Sequence, residues 1–104
     1  MSKMITTLNQ KFDGSWRCET NIALGNDCTM QISTAKNREG ISTTVIVGNM
    51  DNGTFTTRLF QDFSKIIEYP KRTHNTKENI KKLHAQVLTD IDNYLDEAKA
   101  HYEK

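Results

Sequence analysis

Two cysteines and a single proline are spread through 104 residues, and charge is balanced, with 14 Lys and Arg against 13 Asp and Glu. Each scarcity excludes something. If Cys18 and Cys28 lie on neighbouring strands joined by a turn at Gly25-Asn26-Asp27, their Cα atoms are farther apart than the ~7 Å a disulfide tolerates. Two reduced thiols suit a reducing compartment, so the expected location is cytoplasmic. No CxxC or HxxxH spacing supplies further ligands, which argues against a metal site. A net charge of +1 creates no overall field for nucleic acid or acidic lipid. No apolar run approaches the ~20 residues of a membrane span, and the opening MSKMITTLNQ has no signal-peptide core. No Gly-rich phosphate loop, HExxH, GxSxG or pair of catalytic carboxylates can be read from the chain. The expectation is therefore a protein without cofactor, metal or catalytic residues.

The strongest signal present is the last quarter of the chain. Ile80, Leu83, Val87, Leu88, Ile91, Tyr94, Leu95, Ala98 and Tyr102 recur at three- and four-residue steps and form one apolar stripe of a helix over 75–102. Asn75 is the expected N-cap and Glu78 reinforces the first turn. Such a helix would be ~40 Å long, against a radius of gyration of about 13 Å for a compact chain of this size. It should overhang the domain or pack on a second copy, which makes a homodimer one expected state.

From Ser15 the period changes to two. Cys18, Thr20, Ile22 and Leu24, then Cys28, Met30, Ile32 and Thr34, then Ile41, Thr43, Val45 and Val47, then Phe55, Thr57 and Leu59 read as inward rows of four strands. Turn residues at 25–27, 37–40 and 48–53 separate them. Pairing Leu24 with Cys28, Thr34 with Thr43 and Val47 with Phe55 keeps these rows on one side. The predicted fold is α+β: a four-stranded antiparallel meander over 15–61, covered on one face by the long C-terminal helix. Residues 1–14 are read as a loose N-terminal arm, with a short helix or an added strand as alternatives. Residues 62–74 are read as an irregular connection, with a short helix or a fifth strand through Phe63, Ile66, Ile67 and Tyr69 as alternatives, and the whole is a single domain.

That arrangement leaves one sheet face open. Ile46, Arg58 and Phe60 stand out on it, because aromatic and Arg side chains anchor protein interfaces; otherwise it carries polar strand residues such as Thr, Ser and Asn. The leading expectation is a non-enzymatic protein–protein interaction module of unknown partner. Such chains are of the kind a phage or other mobile element encodes to bind and inhibit a host protein such as a defence nuclease. The alternative is a nucleic-acid-associated accessory protein that contacts phosphate through Lys71, Arg72, Lys77, Lys81 and Lys82, the basic start of the helix. A third reading, a small enzyme, would use His84 with a cysteine thiol; the simpler role for His84 is a boundary residue bonded to a strand carbonyl.

Overall fold

The computed structural model describes residues 4–25, 28–38, 40–51, 54–57 and 63–102. It is an α+β fold with an antiparallel 6-stranded sheet and two C-terminal helices. The strands are β1 (Met4–Gln10), β2 (Trp16–Gly25), β3 (Cys28–Asn37), β4 (Gly40–Asp51), β5 (Thr54–Thr56) and β6 (Ser64–Glu68). They run in the order β1-β2-β3-β4, after which β5 and β6 share the remaining side of β4. β6 pairs with Ser42–Ile46 and β5 with Asn49–Asp51. Two segments read as arm and connection thus supply strands, because each completes a ladder whose main-chain groups would otherwise stay open.

The register agrees with the alternation along most of the sheet. Thr34 faces Thr43 as expected, and Ile22 faces Met30. The ladder expected from Leu24 and Cys28 holds up to Ala23, beyond which a shift places Cys28 opposite Gly25. The last pairing is corrected: Phe55 lies opposite Met50 rather than Val47, three positions away, so its side chain moves to the other face. Gly48 explains this move. A Cβ there would meet the Thr56 carbonyl and come within 2.8 Å of the Phe55 ring, so the end of β5 can approach β4 closely where no side chain is in the way.

The single long helix is also corrected. α1 (Lys77–Leu88) and α2 (Ile91–Tyr102) are separated at Thr89 and Asp90. The Thr89 hydroxyl donates to the Gln86 carbonyl at 2.6 Å, and the Asp90 N–H reaches back only to Val87, at 3.0 Å. A β-branched hydroxyl that captures a backbone acceptor, followed by a tightened turn, ends a helix without Gly or Pro. The cap is Thr76, whose Oγ1 accepts from the Asn79 N–H at 3.1 Å. Asn75 is used elsewhere: its amide accepts from the Trp16 N–H at 2.6 Å and donates to the Trp16 carbonyl at 3.3 Å. The start of β2 is thereby fixed to the start of α1.

Both helices cover the same face. Ile22, Met30, Ile32, Val45, Val47, Val87 and Ala98 form one buried cluster, and Cys18, Ile41 and Ile80 a second.

Candidate functional site

Between the two apolar clusters runs a polar row. Thr20, Thr34 and Thr43 occupy inward positions on β2, β3 and β4, all fully buried, and α1 places His84 over them. His84 Nε2 lies 2.7 Å from the Thr20 hydroxyl, and Nδ1 lies 2.9 Å from that of Thr34. The row continues in both directions: Thr34 to Thr43 at 2.7 Å, Thr43 to the Tyr69 hydroxyl at 2.7 Å, and Thr20 to Thr6 at 2.8 Å. The hydrogen-bonded chain therefore passes from β1 beneath the helix to the residue that follows β6.

A neutral imidazole has one donor and one acceptor, and each hydroxyl can donate once. A chain running from Tyr69 to Thr6, or the reverse, satisfies every member, so the tautomer of His84 and the direction of the chain are a single choice. Among the described residues no buried side-chain N or O lacks a partner. Burial holds the His84 pKa down to about 4, because the charged ring would lose its hydration. Burial also pushes the Cys18 thiol and the Tyr69 hydroxyl above their ordinary values. The expected carbonyl partner of His84 is thus replaced by two threonine hydroxyls. With both nitrogens engaged by threonines, the ring makes no hydrogen bond to a thiol.

The opposite face of the sheet has two unlike halves. On β2 and β3 the polar residues bond to one another. Arg17 donates from Nε to Ser33 at 3.0 Å and pairs with Glu19 at 2.9 Å, and Gln31 donates to Asn21 at 3.3 Å. Towards β4, β5 and β6 the face becomes apolar. Ile46 is half-buried there, opposite Ser64, with Ile66 diagonally beside it and 65% exposed. Phe55 packs over Gly48 on the same side. Ile46 thus stands where the alternation placed it, whereas Arg58 and Phe60 lie outside the described residues. Ile66 is not among the expected site residues; its signal in the sequence is the Ile66-Ile67 pair, which any strand must split between its two faces.

The basic residues are divided by the fold. Lys71 and Arg72 are exposed in the turn after Pro70, and Lys77, Lys81 and Lys82 are exposed on α1. Lys77 Nζ lies 5.6 Å from the centroid of the half-buried Trp16 ring, a cation–π contact that the sequence did not suggest. Among the described residues no group of His, Cys, Asp and Glu could hold a metal ion, and no helix is long and apolar enough to cross a membrane. A hollow of about 80 Å³ at Tyr69, lined also by Asn37, Ile41, Ser42, Glu68 and Lys71, is well below the ~300 Å³ of an ordinary ligand pocket. No protein-family model matches the chain, and no curated protein or solved structure matches it either.

Proposed function

We propose that the chain is a non-enzymatic protein-interaction module that binds through the uncovered face of its sheet. The observation that carries this reading is Ile66, a large apolar side chain 65% exposed on a strand, beside Ile46 and on the layer that no helix covers among the described residues. Apolar side chains grouped on a rigid surface and rimmed by self-satisfied polar groups are what a partner can desolvate at little cost. An inhibitor of a host protein, including a phage or mobile-element protein acting on a defence nuclease, is one member of this class.

The test is capture of partners from a cell lysate by wild-type protein and by Ile46→Ser, Ile66→Ser, Arg58→Ala and Phe60→Ala variants. Loss of one specific partner with Ile66→Ser, while the unfolding midpoint is unchanged, is the expected result. A partner held equally well by all four variants would reject the sheet face. The second reading, phosphate contact by Lys71, Arg72, Lys77, Lys81 and Lys82, is favoured only by the Lys77–Trp16 pair; it requires captured nucleic acid with an affinity that falls steeply with salt.

A further inference from the structure

We infer that β1 is the interface of a symmetric dimer, in which two copies of the chain pair edge to edge and extend the sheet across a two-fold axis at Thr7. This surface is distinct from the Ile46–Ile66 face, and the inference does not depend on it.

Edge strands are normally protected by charge, proline, a bulge or brevity. Among the described residues, β5 is 3 residues long, and β6 carries Lys65 and Glu68 and runs into Pro70. β1 has none of these devices. Its sequence MITTLNQ contains no charge, proline or glycine, and its ladder with β2 runs without a shift from Met4↔Ile22 to Gln10↔Trp16. Met4 and Ile5 are each 51% exposed. A regular, neutral, partly apolar edge is a template for another strand.

The hairpin that ends β1 shows which main-chain groups are open. The Lys11 N–H donates to the Ser15 carbonyl at 2.7 Å, the Gly14 N–H donates to the Lys11 carbonyl at 3.0 Å, and Gly14 has φ +86°. This is a β-turn closed by a glycine in the left-handed region, and Lys11 is bonded across to Ser15, the residue just before β2. Bonded pairs alternate along an antiparallel ladder. Asn9, Thr7 and Ile5 therefore direct their N–H and C=O groups to β2, while Gln10, Leu8, Thr6 and Met4 direct theirs outward.

Those outward groups suit a second copy in one register. When the two-fold axis passes through Thr7, Met4 meets Gln10 of the second copy and Thr6 meets Leu8, so every outward N–H and C=O from Met4 to Gln10 is paired. Moving the axis to Thr6 or Leu8 leaves one residue of each copy unpaired. The axis at Thr7 also keeps like faces together: Ile5 meets Asn9, and Thr7 meets Thr7, a favourable cross-strand pair. A strand without charge offers no electrostatic code to an unlike partner and meets no repulsion from itself, which is the condition for an isologous contact. Strand pairing alone buries less than the ~1,200 Å² of a standard stable interface, so the dimer should form with rising concentration.

The test is light scattering and sedimentation from low micromolar to about 0.5 mM protein, the range in which weak contacts of this kind associate. The wild type should pass from monomer to dimer mass. Thr7→Lys should remain monomeric: it sets like charges against each other across the axis, while within the chain it faces Glu19, so the native ladder is kept. In a Cys28→Ser background, Thr7→Cys should cross-link to a covalent dimer under mild oxidation and melt as the wild type does. A wild type that is monomeric throughout would overturn the inference, as would a dimer that survives Thr7→Lys or is lost with Ile66→Ser. If Thr7→Lys abolishes capture of a foreign protein by a monomeric wild type, the edge receives an unlike strand and the dimer is wrong.

Discussion

His84 on α1 and Thr34 on β3 are joined through Nδ1 and Oγ1 at 2.9 Å, with neither side chain in contact with solvent. That bond ties the helix layer to the middle of the sheet. Because the imidazole is also bonded to Thr20, its loss or its protonation should register as a loss of stability.

The imidazole titrates at 6.5 in the unfolded chain and at about 4 when folded, because burial disfavours its charged form. Between those values the unfolded state binds a proton that the folded state does not. The stabilising effect is thus complete above about pH 6.5, decreases as the pH falls towards 4, and levels off below. The gap corresponds to about 3 kcal/mol. Urea midpoints measured across this window should fall for wild type and stay nearly flat for His84→Gln, which starts from lower stability. The Asp13 carboxyl is held below its ordinary value by hydrogen bonds from the Ser15 hydroxyl and N–H, so its contribution is lost only as the pH falls further into the acid range.

Thr34→Val removes a hydroxyl that serves both His84 and Thr43. It should cost about 2 kcal/mol, since the buried ring nitrogen is left without a partner. Replacing the group together, with His84→Leu, Thr20→Val and Thr34→Val, should cost less than the sum of the single changes. Denaturant unfolding of the singles and the triple measures that difference.

Asn75→Ala and Thr76→Ala should have separable effects. Thr76→Ala removes the cap that accepts from Asn79 and should weaken α1 by about 1 kcal/mol. Asn75→Ala leaves the cap intact but releases both main-chain groups of Trp16. Faster amide exchange at Trp16 and a change in the fluorescence of this single tryptophan are expected only for Asn75→Ala.

Gly48→Ala should displace β5. The new methyl would meet the Thr56 carbonyl, with the Phe55 ring at 2.8 Å and the Thr57 methyl at 2.9 Å, and a backbone atom cannot yield as a side chain can. The expected cost is about 2 kcal/mol. Limited proteolysis should show earlier cleavage near 54–57, with the β2–β3–β4 ladders still protected from exchange.

Alternation and helical period are local, and they determined a good deal about this protein. Apolar or threonine positions at every second residue placed Cys18, Thr20, Ile22, Met30, Ile32, Thr34, Thr43, Val45 and Val47 on the covered face, and the Thr34–Thr43 pairing followed from their turn. The helical stripe identified Ile80, Val87 and Ala98 as the buried residues they are. The alternation along β4 also placed Ile46 on the opposite face. Other features depended on partners far along the chain. β1 and β6 are strands because β2 and β4 have main-chain groups to pair, a condition that no window of residues contains. The helix divides at Thr89 through competition between a hydroxyl and the backbone, which the apolar stripe does not record. Phe55 changed face because Gly48 left room for its ring. His84 found Thr20 and Thr34 across 64 and 50 residues of sequence, and only packing a helix over three strands could bring those groups within hydrogen-bond distance.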